Sequence, residues 1–470
     1  MNVIQIITDT LRRDHLGCYG HPYIQTPSLD ALAARSVRFD RYYIASFPTM
    51  PSRADYLTGR FTGTIFRGWA PLPEDLVTLP QILSSQSGDY GGLTGGIHAR
   101  HSLDDTSRHS AAIVDTPFYL RQSFNYDRGF STFIEVPGQP GQGFEWEARD
   151  VRRNWRFESD RFAPQTFTKA MQWLEHHYKE DFFLYIDVWD PHEPWDAPDF
   201  YTELYWPEDA GEVVMPRSRH WMEGIPLSGE DIEKAHAFYC GEVTMVDTWL
   251  GHFMRRLENM NLMDKTAILF TSDHGTYHGE HGGRFGKHTR VKPDDDEVGF
   301  GFCPLYEEVA SSPLLVYVPD IAPGEYSGLA SAIDLAPTVL DILGHETPSF
   351  MDGRSLLPAM KDSSVAGREY AISAAPFRTS GSPLKWVGDQ MYFKTEDSSV
   401  TVTTDEWSLI YSVEPGVSEL YHLASDPKQE KNVINERQEM AKELHQIFVK
   451  FMDERNVSPE LRDPRSELRL

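Results

Sequence analysis

Short apolar runs alternate along this chain with longer segments in which hydrophobic residues recur every three or four positions. The short runs are rich in β-branched residues and predict buried strands at residues 2–8, 182–189, 266–271 and 313–318. Between the second and third strands, a long amphipathic helix is indicated by Val246, Trp249, Phe253 and Leu257. This alternation predicts an α/β fold with a large, mostly parallel central sheet flanked by helices.

The sequence changes in character after about residue 365. Residues 366–425 are rich in strand-forming residues interrupted by Gly, Ser and Asp, which predicts a small antiparallel sheet. A closing helix is indicated by apolar residues on one face, at Met440, Leu444, Phe448 and Phe451. Because 470 residues exceed most single domains, we predict a large α/β domain over 1–365 and a smaller α+β subdomain over 366–470.

The chain is strongly acidic, with 44 basic and 71 acidic residues and a formal net charge of −27. Such a charge repels nucleic acid and anionic membrane surfaces, so we expect neither as a partner. A small anionic substrate would need a locally cationic pocket. The sequence leaves open whether the chain forms a homo-oligomer.

Cysteine usage is sparse, with Cys18, Cys240 and Cys303 at unpaired spacings. This pattern indicates neither a disulfide framework nor a thiolate metal site and fits a reducing compartment. The first apolar run leaves no room for a cleavable signal, and no apolar span of membrane-crossing length follows. We therefore expect a cytoplasmic protein.

Polar residues follow the ends of three predicted strands. They are Asp9, the group Asp190-Pro191-His192, and the group Asp273-His274-Gly275. In open α/β sheets ligands bind beyond the carboxyl ends of the strands, so these clusters are expected to converge. An adjacent carboxylate and imidazole, such as Asp273 and His274, suit Mn²⁺, Zn²⁺ or Mg²⁺ better than soft metals.

The segment Thr49-Met50-Pro51-Ser52-Arg53, which continues to Gly59-Arg60, is the most informative part of the chain. Pro51 suits the first position of a helix and Gly59 its end. The Thr49 hydroxyl would then lie near a helix N-terminus, where free N–H groups favour an anion. In isolation Thr49 would be interpreted as a helix cap and Arg53 as a surface charge.

In their order along the chain, these motifs resemble those of the sulfatase-like branch of the alkaline phosphatase superfamily. The resemblance is carried by Asp9–Gly20, Thr26–Ala33, Thr49–Arg60, Pro191–Pro194, Ser272–Gly275, Glu280–Gly282, Gly286–Lys287, Tyr306–Glu308, Asp334–Thr338, Asp352–Ser355 and Glu419–Tyr421 with Asp426-Pro427. It extends over most of the chain.

The resemblance implies that Asp9, Asp273 and His274 bind a divalent metal ion and that Thr49 also contacts it. Sulfatases usually have a second aspartate after the first, but Thr10 takes that position here. The loss of one hard oxygen ligand makes Ca²⁺ less favoured. We expect Mn²⁺ or Zn²⁺ first, with Ca²⁺ and Mg²⁺ left open.

The resemblance also assigns catalytic roles. Thr49 would be the nucleophile, while Arg53, His192 and Lys287 would hold the tetrahedral anion. His192, or a water held by the metal, would handle the leaving-group proton.

Thr49 stands where a sulfatase has the cysteine that is oxidised to formylglycine, and threonine cannot be converted in this way. A formylglycine hydrate expels sulfate by collapsing to the aldehyde, an exit that a threonine ester lacks. A phosphoryl-threonine, by contrast, is open to in-line attack at phosphorus.

Two other segments depart from the sulfatase pattern. Neither Gly95–His98 nor Asp115–Phe118 supplies the usual pocket lysine. We prefer the second alignment, which makes residues 87–105 an insertion, and residues 288–305 form another. Loop histidines at His98 and His101, with His278, His281 and His288, are candidate ligands for a second metal, although solvated histidines are the commoner outcome. The sequence leaves open whether a substrate stacks on the aromatic rings of Trp69, Trp146, Trp155, Trp189 and Trp195.

The sequence therefore predicts a metal-dependent hydrolase of phosphate esters, with phosphodiesters or phosphonate monoesters favoured. Its substrate would be a small anionic ester. The alternatives are a sulfatase that acts without formylglycine and a catalytically silent sulfatase-like binding protein.

Overall fold

The structure is a computed structural model, and it describes residues 1–65, 71–85, 108–116, 124–136, 155–208, 228–291, 299–302, 304–377, 385–387, 390–392 and 400–470. Its middle layer is a sheet with eight described strands. Their spatial order is β13 (Gly324–Tyr326), β2 (Val37–Phe39), β12 (Leu314–Tyr317), β7 (Thr266–Ser272), β1 (Asn2–Thr8), β6 (Phe182–Val188), β4 (His109–Val114) and β5 (Thr132–Glu135).

Only β12 runs antiparallel to its neighbours among these strands, and the other pairs are parallel. The predicted large, mostly parallel sheet is therefore confirmed. Strands β1, β6, β7 and β12 lie within one residue of the predicted bounds at each end. The agreement follows from the apolar character of these runs, which are buried on both faces of the sheet.

Helices pack against the central sheet and, near the end of the chain, against a smaller C-terminal sheet. They are α1 (Pro27–Ala33), α2 (Thr49–Thr58), α3 (Leu79–Ser84), α4 (Phe162–His177), α5 (Asp199–Thr202), α6 (Gly229–Asn259), α7 (Glu280–Gly283), α8 (Glu307–Ala310), α9 (Leu335–Ile342), α10 (Leu357–Lys361), α11 (Gln438–Glu454) and α12 (Pro459–Arg462).

The two faces of the sheet bury different cores because side chains alternate along a strand. In β1, Val3 and Ile7 join the core that contains α2, whereas Ile4 and Ile6 join the core of α4 and α6. On the predicted apolar face of α6, the side chains of Val246, Phe253 and Leu257 are buried and that of Trp249 is partly buried.

Smaller strands form local pairs around this layer. They are β3 (Tyr42–Tyr43) with β14 (Ala330–Ser331), β8 (Tyr277–His278) with β9 (Phe285–Gly286), and β10 (His288–Val291) with β11 (Gly299–Phe302).

The C-terminal part contains the predicted small antiparallel sheet and closing helix. The sheet consists of β15 (Ala371–Ala374), β18 (Val400–Thr403), β19 (Trp407–Tyr411) and β20 (Glu419–His422), and a separate hairpin pairs β16 (Lys385–Val387) with β17 (Gln390–Tyr392). Helix α11 buries Leu444, Phe448 and Phe451. These side chains share one hydrophobic core with Val3 of β1, so the two sheets are packed together. The division at residue 365 stays a prediction.

No helix in the described parts of the chain combines the length and the apolar character needed to cross a membrane.

Candidate active site

Segments that are far apart in sequence meet at one edge of the central sheet. Asp9 directly follows β1, and its N–H donates to Val188 of β6 at 3.0 Å. Asp273 directly follows β7, and its N–H donates to Thr8 at 3.0 Å. His192 lies in the loop after β6. The polar clusters at the carboxyl ends of these strands therefore converge, as the sequence predicted.

Asp9, Asp273 and His274 form a fully buried group of potential metal ligands. One ligand atom of each lies within 4.8 Å of the others, and Asp273 Oδ2 is 3.4 Å from His274 Nε2. Among the described residues, none hydrogen-bonds to Asp9 Oδ1 or to His274 Nε2, and Asp9 Oδ2 has only an ion-pair contact with Arg53. Leaving buried polar atoms without partners is costly, so this donor set fits a divalent metal ion.

Hydrogen bonds orient these donors toward a common point. His274 Nδ1 lies 2.8 Å from the Gly275 carbonyl oxygen, which makes Nδ1 the protonated nitrogen and leaves a lone pair on Nε2. Burial lowers the pKa of His274 to about 4, so its imidazole is neutral near pH 7. Burial and the charge of Asp273 raise the pKa of Asp9 well above its usual range. A bound cation would counter this effect and favour the ionised carboxylate.

Thr10 links Asp9 to the rest of the site through a strained backbone. Its φ angle is 59°, a value that β-branched residues rarely adopt. In this conformation the Thr10 N–H donates to Asp273 Oδ1 at 3.0 Å. Thr10 thus positions Asp273 through its backbone, although its side chain does not supply the second carboxylate of the sulfatase pattern.

Thr49 lies at the start of α2 and is 1% exposed. The helix begins at Thr49 itself. The fixed φ of Pro51 had suggested that Pro51 would be the first helical residue, but it is the third. The predicted end is confirmed, since Gly59 adopts the left-handed conformation with φ 63°. The Ser52 hydroxyl donates to the Asp273 carbonyl at 2.9 Å and ties the first turn of α2 to the metal-ligand group.

Arg53 is fully buried and surrounded by carboxylates. Its Nε donates to Asp187 Oδ2 at 2.9 Å, and its Nη1 lies 3.1 Å from Asp9 Oδ2 and also pairs with Asp273. Nη1 further donates to the Thr49 carbonyl at 3.2 Å. The guanidinium therefore connects α2 to the metal-ligand group, and its predicted contact with a substrate anion stays a prediction.

Asp187 and Thr116 belong to the site but were missed in the sequence. Asp187 accepts hydrogen bonds from Nε and Nη2 of Arg53. It also accepts hydrogen bonds from the hydroxyls of Thr116 and Tyr185. A buried aspartate inside the apolar strand β6 was the available signal, because unpaired charge in such a strand is rare. Thr116 follows β4 in the segment that we aligned with the usual pocket lysine.

Replacing Asp187 is expected to destabilise the protein through Arg53. Asp187→Asn keeps the shape but removes a charge from a buried ion pair, so the free energy of unfolding should fall by about 1–3 kcal/mol. Urea denaturation measures the effect. As a control, Glu258→Gln breaks the exposed pair with Arg35 and should cost less than about 1 kcal/mol. Equal losses in both variants would contradict the buried-pair interpretation.

His192 and Lys287 line the opposite side of Asp9. Lys287 Nζ lies 2.6 Å from His192 Nε2, and both atoms lie near Asp9 Oδ1, at 3.9 Å and 4.0 Å respectively. Burial and the Lys287 charge hold the pKa of His192 well below its usual value. His192 is thus a neutral imidazole whose Nε2 accepts a hydrogen bond from the Lys287 ammonium, while its Nδ1 donates to the Glu193 carbonyl at 2.6 Å.

Several other predicted residues do not join this group. His281 lies 3.0 Å from Glu308 and stacks on Tyr306, so it is engaged elsewhere. Trp189 stacks on His192 at 3.9 Å, whereas Trp195 is buried in the core. Trp155 packs against Phe162 and Arg161. The predicted features outside the described residues are His98, His101, Trp69, Trp146, the whole 87–105 insertion, and the side chains of most of 288–305.

Comparisons with known proteins find relatives over most of the chain. A family model described as sulfatase matches residues 1–345. An arylsulfatase of Clostridium perfringens is 25% identical over 495 residues, covering 97% of this chain and 95% of the relative. The multifunctional alkaline phosphatase superfamily protein PehA of Trinickia caryophylli is 24% identical over 412 residues, 77% of each chain. The solved phosphonate monoester hydrolase of Agrobacterium radiobacter has a TM-score of 0.68 and 21% identity, covering 97% of this chain and 95% of the other.

The fold and these matches define a hydrolase of the alkaline phosphatase-like superfamily. Within it, the chain belongs to the sulfatase family. Enzymes of this family depend on a divalent metal ion, and the buried donors Asp9, Asp273 and His274 suit that requirement.

Proposed function

We propose that this protein hydrolyses phosphodiesters or phosphonate monoesters with Thr49 as the nucleophile. The observation that carries the proposal is a buried threonine hydroxyl at the first position of α2, on the helix that also supplies Arg53 to the metal-ligand carboxylates. Free N–H groups at a helix start favour an anion, and a metal ion, when bound, would lower the pKa of the hydroxyl and neutralise developing charge.

The proposed reaction has two steps. The Thr49 oxygen attacks phosphorus and the ester alcohol leaves, which gives a phosphoryl-threonine or phosphonyl-threonine. Water then attacks phosphorus in line, the acid product departs and the Thr49 hydroxyl is restored. A threonine sulfate lacks the aldehyde collapse that releases sulfate from formylglycine, which is why we favour phosphorus over sulfur.

Local charge favours a singly charged ester. Three buried carboxylates, on Asp9, Asp187 and Asp273, face two cationic groups, on Arg53 and Lys287. The formal sum is −1, and a divalent ion changes it to +1. Phosphodiesters and phosphonate monoesters each carry one negative charge at neutral pH, whereas a phosphate monoester carries close to two. The site is therefore better matched to the former.

Two similarities support opposite substrate classes. A phosphonate monoester hydrolase shares the fold over nearly the whole chain. An arylsulfatase is similar over the same extent, which keeps a sulfatase that acts without formylglycine as the alternative. A silent binding protein is disfavoured, because the buried donor set, Arg53 and Lys287 are all present.

The test is a comparison of p-nitrophenyl esters, namely a phosphate, a phosphodiester, a phosphonate and a sulfate, with added Mn²⁺ or Zn²⁺. We expect kcat/KM for the phosphodiester or the phosphonate to exceed that for the sulfate by at least about 100-fold, a difference of about 2.7 kcal/mol in transition-state stabilisation. A sulfate that is turned over fastest would establish the alternative. If the protein bound a stoichiometric amount of metal but hydrolysed none of these esters, both the phosphorus-ester hydrolase and the sulfatase hypotheses would be rejected.

His192 is expected to matter most for poor leaving groups. The Lys287 ammonium donates one proton to His192 Nε2 and keeps two others, so Lys287, oriented by His192, can supply a proton to a departing alkoxide. His192→Ala should lower kcat by about 10²-fold for a methyl ester but far less for a p-nitrophenyl ester, whose anion leaves unaided. His281→Ala, which alters a histidine bonded to Glu308, is the control. Equal losses on both esters would reject the proton-donating role.

We also propose a small-molecule anionic ester as the only partner in catalysis and the cytoplasm as the location. The latter rests on Cys18 and Cys240, which are unpaired in the structure.

A further inference from the structure

A second group of potential metal ligands lies outside the proposed active site. His15 follows β1, and His236 and Cys240 lie one turn apart on α6. One ligand atom of each lies within 4.8 Å of the others. His15 Nε2 is 2.6 Å from His236 Nε2, and His236 Nε2 is 3.7 Å from Cys240 Sγ. We propose that His15, His236 and Cys240 form a second transition-metal site, most suited to Zn²⁺, which is separate from Asp9, Asp273 and His274.

A third histidine, whose ring lacks a hydrogen-bond partner among the described residues, faces this group. The ring of His278 is centred 5.1 Å from that of His236 and 5.8 Å from that of His15. His278 is 9% exposed, and within the described residues neither of its ring nitrogens has a hydrogen-bond partner. A buried imidazole without a partner is costly. It is therefore available to complete a tetrahedral set of three nitrogens and one sulfur.

The tautomer of His15 favours coordination. Asp14 Oδ1 lies 2.9 Å from His15 Nδ1, and the Asp14 carboxylate also accepts hydrogen bonds from the Arg12 guanidinium. An ionised carboxylate only accepts, so Nδ1 carries the proton and Nε2 has its lone pair directed at His236. A carboxylate behind a ligating imidazole is a frequent arrangement in zinc sites.

The distances require a small rearrangement. Two nitrogens at 2.0–2.1 Å from one tetrahedral ion lie about 3.3 Å apart, and a nitrogen and a sulfur lie about 3.6 Å apart. The His236–Cys240 distance of 3.7 Å already suits an ion. The 2.6 Å between His15 and His236 must widen, which a rotation of the half-buried His236 side chain provides.

Charge and access also suit a cation. Arg12 is paired with both Asp14 and Glu280, so the nearest charged groups sum to −1. The cluster borders a cavity of about 940 Å³, which is lined in part by His15, His21, His236 and Glu280. Cys240 is buried, and metal binding would release its thiol proton to solvent.

Cobalt substitution tests this site directly, because sulfur ligation to Co²⁺ produces a strong near-ultraviolet charge-transfer band that oxygen and nitrogen ligands do not. The wild-type protein, titrated with Co²⁺ alone, should bind two equivalents and show the band. Cys240→Ser should lose the band and about one equivalent. Cys18→Ser and Cys303→Ser, the matched cysteine controls, should keep both.

Two further variants separate this site from the proposed active site. Asp273→Asn should keep the thiolate band while losing the other metal, whereas Asp14→Asn should weaken the thiolate site about 10–100-fold. Circular dichroism checks folding, and the wild-type spectrum decides the question if the cysteine variant does not fold. Absence of the band in the wild-type protein, or its persistence in Cys240→Ser, would overturn the proposal.

Discussion

Thr49→Ala is expected to lower kcat for the preferred phosphorus ester by at least about 10³-fold, because the attacking oxygen is removed. The protein should remain folded, since the hydroxyl is lost from the start of α2 without a change in the helix backbone. Metal content and circular dichroism should be close to wild type. Thr49→Ser keeps a hydroxyl and should retain most of the activity.

The matched control is Thr58→Ala at the other end of the same helix. Thr58 is equally buried, and its hydroxyl donates to the Ala54 carbonyl at 2.6 Å, away from the metal-ligand group. This variant should lose some stability but little kcat. Mass spectrometry of an acid-quenched reaction provides a second readout, since Thr49 should carry the phosphoryl group. Activity of Thr49→Ala near the wild-type level would reject Thr49 as nucleophile.

The second large effect is expected from removing a proposed metal ligand. Asp273→Asn and His274→Ala each delete a donor from the buried group and should lower both metal affinity and kcat/KM, the latter by at least about 10³-fold. One metal equivalent should be lost, measured by atomic emission after dialysis. Excess Mn²⁺ or Zn²⁺ should restore part of the activity, because the remaining ligands still face the same point.

Asp247→Asn is the control, because Asp247 is a buried carboxylate that is not a proposed metal ligand. Asp247 on α6 accepts hydrogen bonds from the N–H groups of Ser28 and Leu29 at the start of α1, and it is not part of the group Asp9, Asp273 and His274. This variant should lose stability while retaining its metal. If Asp273→Asn kept both its metal and its activity, the assignment of this ligand group would fail.

The sequence by itself determined four strands of the central sheet, β1, β6, β7 and β12, to within one residue at each end. Residues 2–8 form a strand because an uninterrupted apolar, β-branched run can be buried only on both faces of a sheet. The same reasoning placed Asp9 and Asp273 at one edge, since parallel neighbours end there. Thr49 and Arg53 were identified because the segment that contains them resembles a sulfatase motif.

The tertiary structure decided which partners these residues have. Arg53 is one helical turn from Thr49 in sequence, but its contacts to Asp187 and Thr116 depend on how α2 lies against the ends of β6 and β4. Cys240 gave no signal as a ligand because its neighbour His15 comes from a segment more than two hundred residues earlier. Hydrophobic periodicity is a property of short stretches of sequence, so it can be recognised there. A cluster of side chains from distant segments depends on how those segments pack, and their spacing along the chain does not reveal it.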